Sequence, residues 1–205
     1  MANKPLQRVL PVQERSRRKL NTILDTAAKL LVEQGVEATT MQAIADTAAL
    51  TLPSVYHYFE NRLAVFAALA ERTMLTVDSN LATQLSDFAD STEQSSRHLL
   101  ETLFGLYQQS AGYIPLLMVL RAEPSLQDLV RESNRRIADV LSDVLVRRTT
   151  LSPQRAQRIG WILSESCEQI LQAALLANQE EGKELLDELI EMVDALLQHY
   201  ITINA

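Results

Sequence analysis

The chain contains very few of the residues that make the tight turns of a β-sheet protein: 5 glycines and 6 prolines in 205 residues. Strands joined by hairpins need glycine, proline, asparagine or aspartate at their turns. Leucine, alanine, glutamate, glutamine and arginine are abundant instead, and these residues favour helices. Because 47% of the residues are apolar, the chain can bury a core of its own. The sequence therefore predicts an all-α protein.

Cysteine content and hydropathy indicate the compartment. The only cysteine, Cys167, cannot form a disulfide within the chain, so nothing indicates an oxidising environment. The N-terminal segment has no apolar run typical of a signal peptide. No uncharged apolar stretch is long enough to predict a membrane span. We therefore expect a cytoplasmic protein that does not enter a membrane.

The net charge of −7 is distributed unevenly along the chain. Residues 1–62 carry eight basic and six acidic side chains, whereas residues 63–205 carry eleven basic and twenty acidic ones. Phosphate binding needs local positive charge, and an acidic body stays away from DNA. This asymmetry is one signal of a nucleic-acid partner. An ordinary basic tail in solvent produces the same pattern, so the signal needs support from a motif.

The first sixty residues predict three helices, of which the second and third are short. Apolar residues at helical spacing predict a first helix over 13–34, with Gly35 as the left-handed residue that ends it. Thr39 is expected to cap the second helix, with Gln42 completing a capping box. This second helix is expected to end near Ala48.

The third helix is predicted from its first turn. Thr51 is a candidate N-cap, and Pro53 is tolerated only in a first helical turn. This helix is expected to end around Phe59. Two short helices joined by a few residues are typical of a helix-turn-helix motif. Six further helices are predicted beyond it, at about 62–88, 93–110, 116–122, 125–148, 152–181 and 183–202, with Gly182 as a break.

The segment from Thr39 to Arg62 reads TTMQAIADTAALTLPSVYHYFENR. It resembles the DNA-binding head of the TetR family of bacterial repressors, in which Thr-Thr, Ile-Ala, Ala-Gly-Val-Ser and Tyr-x-His/Tyr-Phe follow one another before a lysine. The resemblance covers about 50 residues, and the remainder offers only a helical pattern of suitable length. It implies a helix-turn-helix DNA-binding domain over 1–62 and a helical effector-binding and dimerisation domain over 63–205.

The residues of the motif also suit DNA recognition on physical grounds. A recognition helix presents side chains of its first turn to base edges, while flanking residues hold phosphates. Leu52 and Pro53 can meet thymine methyl groups, and the amide of Gln42 can contact adenine. Hydroxyl groups and positive charge suit phosphates, and the family resemblance favours the same positions. The candidate DNA-binding residues are Thr40, Gln42, Thr51, Leu52, Pro53, Ser54, Tyr56, His57, Tyr58 and Arg62.

Several of these residues have a plainer interpretation. Tyr56 and Tyr58 can instead pack the core of the head, and His57 can face DNA or only water. The arginines near the start of the first helix, Arg15, Arg17 and Arg18, form either a phosphate-contacting arm or an ordinary solvated helix start.

Two positions depart from the family pattern. Ala49 stands where the family usually has glycine. If that turn residue needs a positive φ, alanine costs on the order of 1 kcal/mol. Leu52 is apolar, so we expect few hydrogen bonds to bases and more reliance on shape and thymine contact.

The resemblance also implies a role for the remaining helices. The last two are expected to form a four-helix bundle with a second copy, which makes a homodimer that binds two half-sites. The middle helices are expected to hold a small apolar or aromatic effector, whose binding releases the DNA. The candidate pocket residues, each also compatible with plain core packing, are Phe104, Tyr107, Tyr113, Leu117, Met118, Arg121, Trp161 and Glu165.

Two other classes of function compete with a DNA-binding regulator. An enzyme is disfavoured because the three histidines, His57, His98 and His199, are widely spaced. No metal-ligand spacing, nucleophile elbow or phosphate loop is present, and the acidic residues follow helix-surface spacing. No cofactor or metal is expected. A helical adaptor without DNA binding remains the alternative, but it leaves the polar residues of the head without a purpose.

Overall fold

The structure is a computed structural model that describes residues 14–90, 96–109 and 112–202. Every regular element among these residues is a helix, which confirms the all-α prediction. No helix in this described part is both long and apolar enough to cross a membrane. The helices are α1 (Glu14–Ala38), α2 (Met41–Thr47), α3 (Leu52–Tyr58), α4 (Arg62–Asp90), α5 (Ser96–Gln109), α6 (Tyr113–Ala122), α7 (Gln127–Arg148), α8 (Pro153–Leu176) and α9 (Gln179–Thr202).

The first helix has the amphipathic pattern that the sequence predicts. Its apolar face buries Ile23, Leu24, Leu30 and Leu31. Gly35 has φ 81° and ψ 179°, so it interrupts the helical backbone within α1 as expected for a left-handed residue. The predicted start at residue 13, and both ends of the predicted helix 93–110, lie outside the described residues.

The second helix begins one residue later than predicted. Thr40, rather than Thr39, is its N-cap, and the Thr40 hydroxyl accepts a hydrogen bond from the Ala43 amide at 3.1 Å. Thr39 is buried, and its hydroxyl donates to the carbonyl of Gly35 at 2.8 Å. The prediction of a capping box between Thr39 and Gln42 is therefore wrong. Both threonines are residues that commonly cap a helix, and only the path of the chain after Gly35 decides which of them does so.

The sixth helix begins three residues before the predicted position. Gly112 has φ 77° and precedes it, and Pro115 lies in its first turn. Proline is tolerated there because the first amides of a helix have no partner within the helix. The predicted break at Pro115 is therefore wrong.

The boundary between the last two helices also differs from the prediction. α8 ends at Leu176 rather than near 181, because Asn178 starts the next helix. The Asn178 side-chain oxygen accepts hydrogen bonds from the amides of Glu180 and Glu181, both at 3.1 Å. Gly182 lies inside α9 and is buried, and a Cβ at this position would collide with the Ala174 carbonyl. Gly182 therefore allows close helix packing and does not break a helix.

By their internal contacts the residues form two compact units. Of the described residues, 14–74 and 112–130 form the first unit, and 75–90, 96–109 and 131–202 form the second. Within the first unit α1 packs against α2 and α6, and α2 packs against α3. Within the second unit α5, α8 and α9 pack against one another. The functional boundary at residue 62 is a different division of the chain and stays a prediction.

The second unit contains buried polar side chains. The sequence did not indicate them, because the spacing of the acidic residues is that of helix surfaces. Asp78 of α4 is buried and accepts hydrogen bonds from Ser133 at 2.8 Å and from Arg136 at 2.7 Å. Burial raises the pKa of the Asp78 carboxyl, although the bonds from Arg136 and Ser133 act in the opposite direction. Asp78 therefore belongs to the core and not to the helix surface.

A second polar group joins α7 to α8. Glu168 is buried and accepts a hydrogen bond from the Asn134 side chain at 3.0 Å. The hydroxyl of Ser164 donates to the Asn134 carbonyl, also at 3.0 Å. Buried polar groups are costly unless they are paired, so these bonds constrain the register of the two helices.

Candidate nucleic-acid interface

The helix-turn-helix predicted over 39–59 is present. Ile44, Ala45, Val55 and Phe59 have no exposed surface and hold α2 and α3 together. Leu50 donates a backbone hydrogen bond to the Ala45 carbonyl at 2.9 Å, which closes the turn between the helices. The core residues of the motif thus orient α3 and leave its other face open.

Ala49 has φ 52° in this turn and is the one described residue other than glycine with a positive φ. The predicted strain is therefore present. Since the Cβ of alanine disfavours this conformation, Ala49→Gly is expected to raise the free energy of unfolding by about 1 kcal/mol. Thermal unfolding measures the change. Gly105→Ala serves as a control outside the head. A Cβ added at this helical position would have room, so the substitution should also stabilise the chain without touching the head. A lower melting temperature for Ala49→Gly would contradict this account.

The first turn of α3 is held by two hydroxyl groups. Thr51 caps the helix, accepting a hydrogen bond from the Ser54 amide at 3.3 Å and donating to the Ser54 hydroxyl at 3.0 Å. Pro53, Tyr56 and His57 are exposed. Residues three and four apart share one face of a helix, so these three side chains form a continuous surface. We call Pro53, Tyr56 and His57 the exposed face of α3.

The two predicted contact residues at the start of α2 have polar partners within the chain. Thr40 uses its hydroxyl to cap α2, and Gln42 donates from its amide to Asp46 at 2.7 Å. Leu52 is half-buried. Part of the hydrogen-bonding capacity of Thr40 and Gln42 is therefore already in use within the chain.

Tyr58 lies in the core of the head. Its side chain is 5% exposed, and its hydroxyl lies 2.9 Å from the hydroxyl of Ser16 in α1. This placement favours the packing interpretation over a phosphate contact, which stays a prediction. Ser16 is a partner that sequence reasoning missed, because a contact over 42 residues of chain leaves no local signal.

Arg62 contacts the head as well as solvent. Its guanidinium donates to the Val36 carbonyl at 3.2 Å and lies 5.7 Å from the centre of the Phe66 ring. It therefore joins the start of α4 to the end of α1. Asn61, which sequence reasoning missed, accepts from the Ala64 amide at 2.9 Å and so uses one of the amides that a phosphate would need.

The candidate pocket residues occupy different environments. Phe104, Tyr107, Trp161 and Glu165 belong to the second unit, and the other four belong to the first. Tyr107, Tyr113 and Leu117 are buried, and Phe104, Arg121 and Glu165 are half-buried. Met118 is 53% exposed and Trp161 is 58% exposed. The Trp161 indole donates to Glu165 at 3.3 Å along the outside of α8.

Potential metal ligands do not cluster in the part of the chain that the structure describes. Within the ranges 14–90, 96–109 and 112–202, no group of three or more His, Cys, Asp or Glu side chains could hold a metal ion. Burial raises the pKa of the Cys167 thiol to about 12, so this thiol stays protonated.

Comparisons with known proteins bear on both parts of the chain. The sequence model for bacterial regulatory proteins of the tetR family matches residues 23–69, which contain the helix-turn-helix. The model for a tetracyclin repressor-like C-terminal domain matches residues 91–197. The HTH-type transcriptional activator FasR of Mycolicibacterium smegmatis is 25% identical over 140 residues, which are 67% of this chain. The match spans 64% of FasR, less than two thirds of its length.

Solved structures share the fold. A TetR-family transcriptional regulator from Streptomyces coelicolor has a TM-score of 0.62 and 24% identity, covering 91% of this chain and 99% of that one. The multidrug binding protein EbrR, complexed with imidazole, has a TM-score of 0.58 and 19% identity, covering 84% and 94%. The two sequence models match the head and more than half of the chain beyond it. With the helix-turn-helix in place, the chain belongs to the TetR family of transcriptional regulators.

Proposed function

We propose that this regulator binds a palindromic operator as a homodimer, acts as a repressor in the cytoplasm, and is released by a small apolar or aromatic effector. The observation that carries the proposal is the exposed face of α3, presented by a helix whose other face is fully buried. A short helix that is held by its buried side and exposes the side chains of its other side is the geometry that enters a major groove. The domain over 1–62 then contacts DNA, and the domain over 63–205 binds effector and partner.

The arginines at the start of α1 support the electrostatic part of the proposal. Arg15, Arg17 and Arg18 are exposed, and Arg18 pairs with Glu14. Phosphate contacts release counterions, so each one lowers the logarithm of the association constant by about 0.9 per tenfold rise in salt. Operator binding should therefore weaken steeply as salt rises.

Large apolar side chains on the last two helices support the homodimer. Trp161, Ile162 and Leu176 of α8 and Met192 of α9 are all strongly exposed. Exposed apolar groups of this size mark interaction surfaces when they lie on one face. Two heads held at a fixed distance bind two half-sites and so select palindromic DNA.

The effector is proposed from the composition of α6. Tyr113, Leu117 and Arg121 lie four residues apart, and therefore on one side of the helix. An aromatic, an aliphatic and a cationic side chain suit an apolar or aromatic molecule with one polar group. The structural neighbour EbrR is named a multidrug binding protein. Release requires that the effector binds the form incompetent for DNA better than the competent form.

Transcriptional activation is a second candidate, favoured by the name of the relative FasR. Deleting the gene separates the two candidates. Transcription of the genes beside the bound operator rises in the deletion strain if the protein represses them and falls if it activates them.

DNA binding itself is tested by selecting bound genomic fragments with the purified protein, followed by mobility-shift titrations at several salt concentrations. We expect a palindromic consensus, a stoichiometry of one dimer per site and a steep loss of affinity with salt. Failure to bind any fragment at low salt would contradict DNA binding and favour the helical adaptor. Screening apolar aromatic compounds for release of the selected fragment tests the effector.

A further inference from the structure

Gln42 and Asp46 occupy the exposed side of α2. The other side of this helix, with Met41, Ile44 and Ala45, is buried in the head. The side-chain nitrogen Nε2 of Gln42 donates a hydrogen bond to Oδ1 of Asp46 at 2.7 Å, one helical turn further along the chain. Both side chains are exposed, so the core of the head does not require this pair.

Asp46 brings a negative charge to a motif that is proposed to meet DNA. In the part of the chain that the structure describes, no lysine or arginine forms an ion pair with Asp46. A carboxylate close to phosphates is repelled by them, so by its charge alone Asp46 opposes DNA binding. A favourable contribution of Asp46 to recognition must therefore come from its hydrogen bond to Gln42.

The hydrogen bond determines which way the Gln42 amide points. A carboxylate only accepts hydrogen bonds, whereas an amide side chain has a donating nitrogen and an accepting oxygen. The nitrogen of Gln42 must therefore face Asp46, and the half-turn that would exchange nitrogen and oxygen is disfavoured. Because the nitrogen carries two hydrogens, one N–H and the carbonyl oxygen stay available for another partner.

This pair of groups matches one base. In the major groove adenine offers its N7 acceptor beside its N6 donor, and a glutamine amide binds both at once. We propose that Asp46 is a positioning residue that holds the Gln42 amide in the orientation that reads an adenine, and so sets the base at one position of each half-site. This inference rests on the proposed operator binding and adds a determinant of the operator sequence.

Without Asp46 the Gln42 amide is free to turn. A glutamine that turns freely can offer its nitrogen to the acceptors of guanine as well as both of its groups to adenine. A side chain that is held in advance also loses less rotamer freedom on binding. Loss of Asp46 should therefore reduce the preference for adenine at this position at least about fivefold, which is the lower end of what one bidentate contact provides.

The charge of Asp46 affects total affinity in the opposite direction. Removing the carboxylate takes a repulsive group away from the phosphates, so binding to every sequence should tighten, most clearly at low salt. Loss of Asp46 should thus produce tighter binding with less discrimination between bases. A residue with a merely structural role would not produce this combination, because a damaged head binds all DNA more weakly.

Mobility-shift titrations of the full chain with operator variants test this role. The selected operator is varied to all four base pairs at each position, and the position at which Gln42→Ala loses its preference is the one that Gln42 reads. At that position Asp46→Ala should lose at least about fivefold of the adenine preference. Asp46→Asn keeps a side-chain oxygen that accepts from Gln42, so it should retain the preference and still bind every sequence more tightly.

A double-mutant cycle determines whether Asp46 acts through Gln42. In the Gln42→Ala background, Asp46→Ala should leave the base preference unchanged and still tighten binding. Two controls concern exposed residues of the head. Thr47→Ala changes the residue next to Asp46 and should behave like the wild type. Glu33→Gln removes one negative charge from α1 and should leave the base preference unchanged.

The outcomes separate the positioning role from operator binding itself. An adenine preference that survives in Asp46→Ala but not in Gln42→Ala would overturn the role of Asp46 and leave operator binding standing. The same conclusion follows if Gln42→Ala loses a preference at no position, if the position that Gln42 reads prefers another base, or if the effect of Asp46→Ala on preference persists without Gln42. A wild-type chain that binds no DNA would overturn operator binding and this inference together.

Discussion

Replacing Tyr56 with alanine should weaken operator binding by about 10- to 100-fold and leave the head folded. The Tyr56 side chain is 41% exposed on α3, one residue after the fully buried Val55. It can therefore reach DNA while the buried residue holds the helix in place. The loss of a hydrogen bond to a charged phosphate is worth about 1.5–3 kcal/mol, and about 1.4 kcal/mol corresponds to a tenfold change in affinity.

Three further substitutions resolve what Tyr56 contributes. Tyr56→Phe isolates the hydroxyl and should account for most of the lost affinity if that group contacts phosphate. Tyr58→Phe removes the hydroxyl that lies 2.9 Å from Ser16, and should lower stability by about 1 kcal/mol with little effect on operator affinity. Tyr58→Ala removes a buried ring and should unfold the head. Mobility-shift titrations and circular dichroism are the measurements.

Unchanged operator affinity in Tyr56→Ala would contradict the placement of the recognition surface on the exposed face of α3. Loss of helix content in the same variant would instead assign Tyr56 to the core of the head. A large affinity loss in Tyr58→Phe, with stability retained, would show that Tyr58 turns to the DNA on binding.

Adding one methyl group at Gly160 should destabilise the second compact unit by about 1–3 kcal/mol, as overpacking does. A Cβ at Gly160 would lie 2.6 Å from the Ala138 carbonyl and 3.1 Å from the Ser142 amide, both backbone atoms of α7. Backbone atoms cannot move away as a flexible side chain does, so α7 and α8 must separate.

That separation should also stretch the nearby hydrogen bonds between the two helices, from Ser164 to the Asn134 carbonyl and from Asn134 to Glu168. The control is the same substitution at Gly105 in α5, where the nearest atom to a Cβ is 3.9 Å away in the side chain of Gln109. Gly105→Ala should raise stability by about 0.8–1 kcal/mol, because alanine favours a helix over glycine. Thermal and urea unfolding measure both. Equal effects of the two substitutions would show that Gly160 is not at a close helix contact.

The helix-turn-helix was predictable from the sequence because its signals are local. Thr51 and Pro53 mark the start of α3, and Gly35 marks the bend near the end of α1 by its need for a positive φ. A local comparison with the family pattern also singled out Ala49 as the residue that would be strained if its φ were positive, and its φ is positive. Each of these features depends on residues within one or two helical turns.

The sequence-based predictions of helix boundaries were wrong where the local sequence allows more than one role for a residue. Thr39 and Thr40 are both good caps, and their roles differ because one hydroxyl reaches the Gly35 carbonyl and the other the Ala43 amide. Glycine often breaks a helix, but at Gly182 the backbone of Ala174 approaches so closely that only glycine fits. Gly182 is therefore a packing residue. In both cases the deciding atom belongs to a different element or turn.

By itself the sequence determined the helical class, the positions of most helices and the recognition motif, because propensities, caps and apolar periodicity act over short stretches of chain. Only the tertiary structure decided which polar side chains became interior. Asp78, with Ser133 and Arg136 55 or more residues away, is buried and paired, and Tyr58 turns inward to Ser16. A polar residue is tolerated in a core only when it has a hydrogen-bond partner there. Which residue becomes that partner depends on the packing of helices that are distant in the chain.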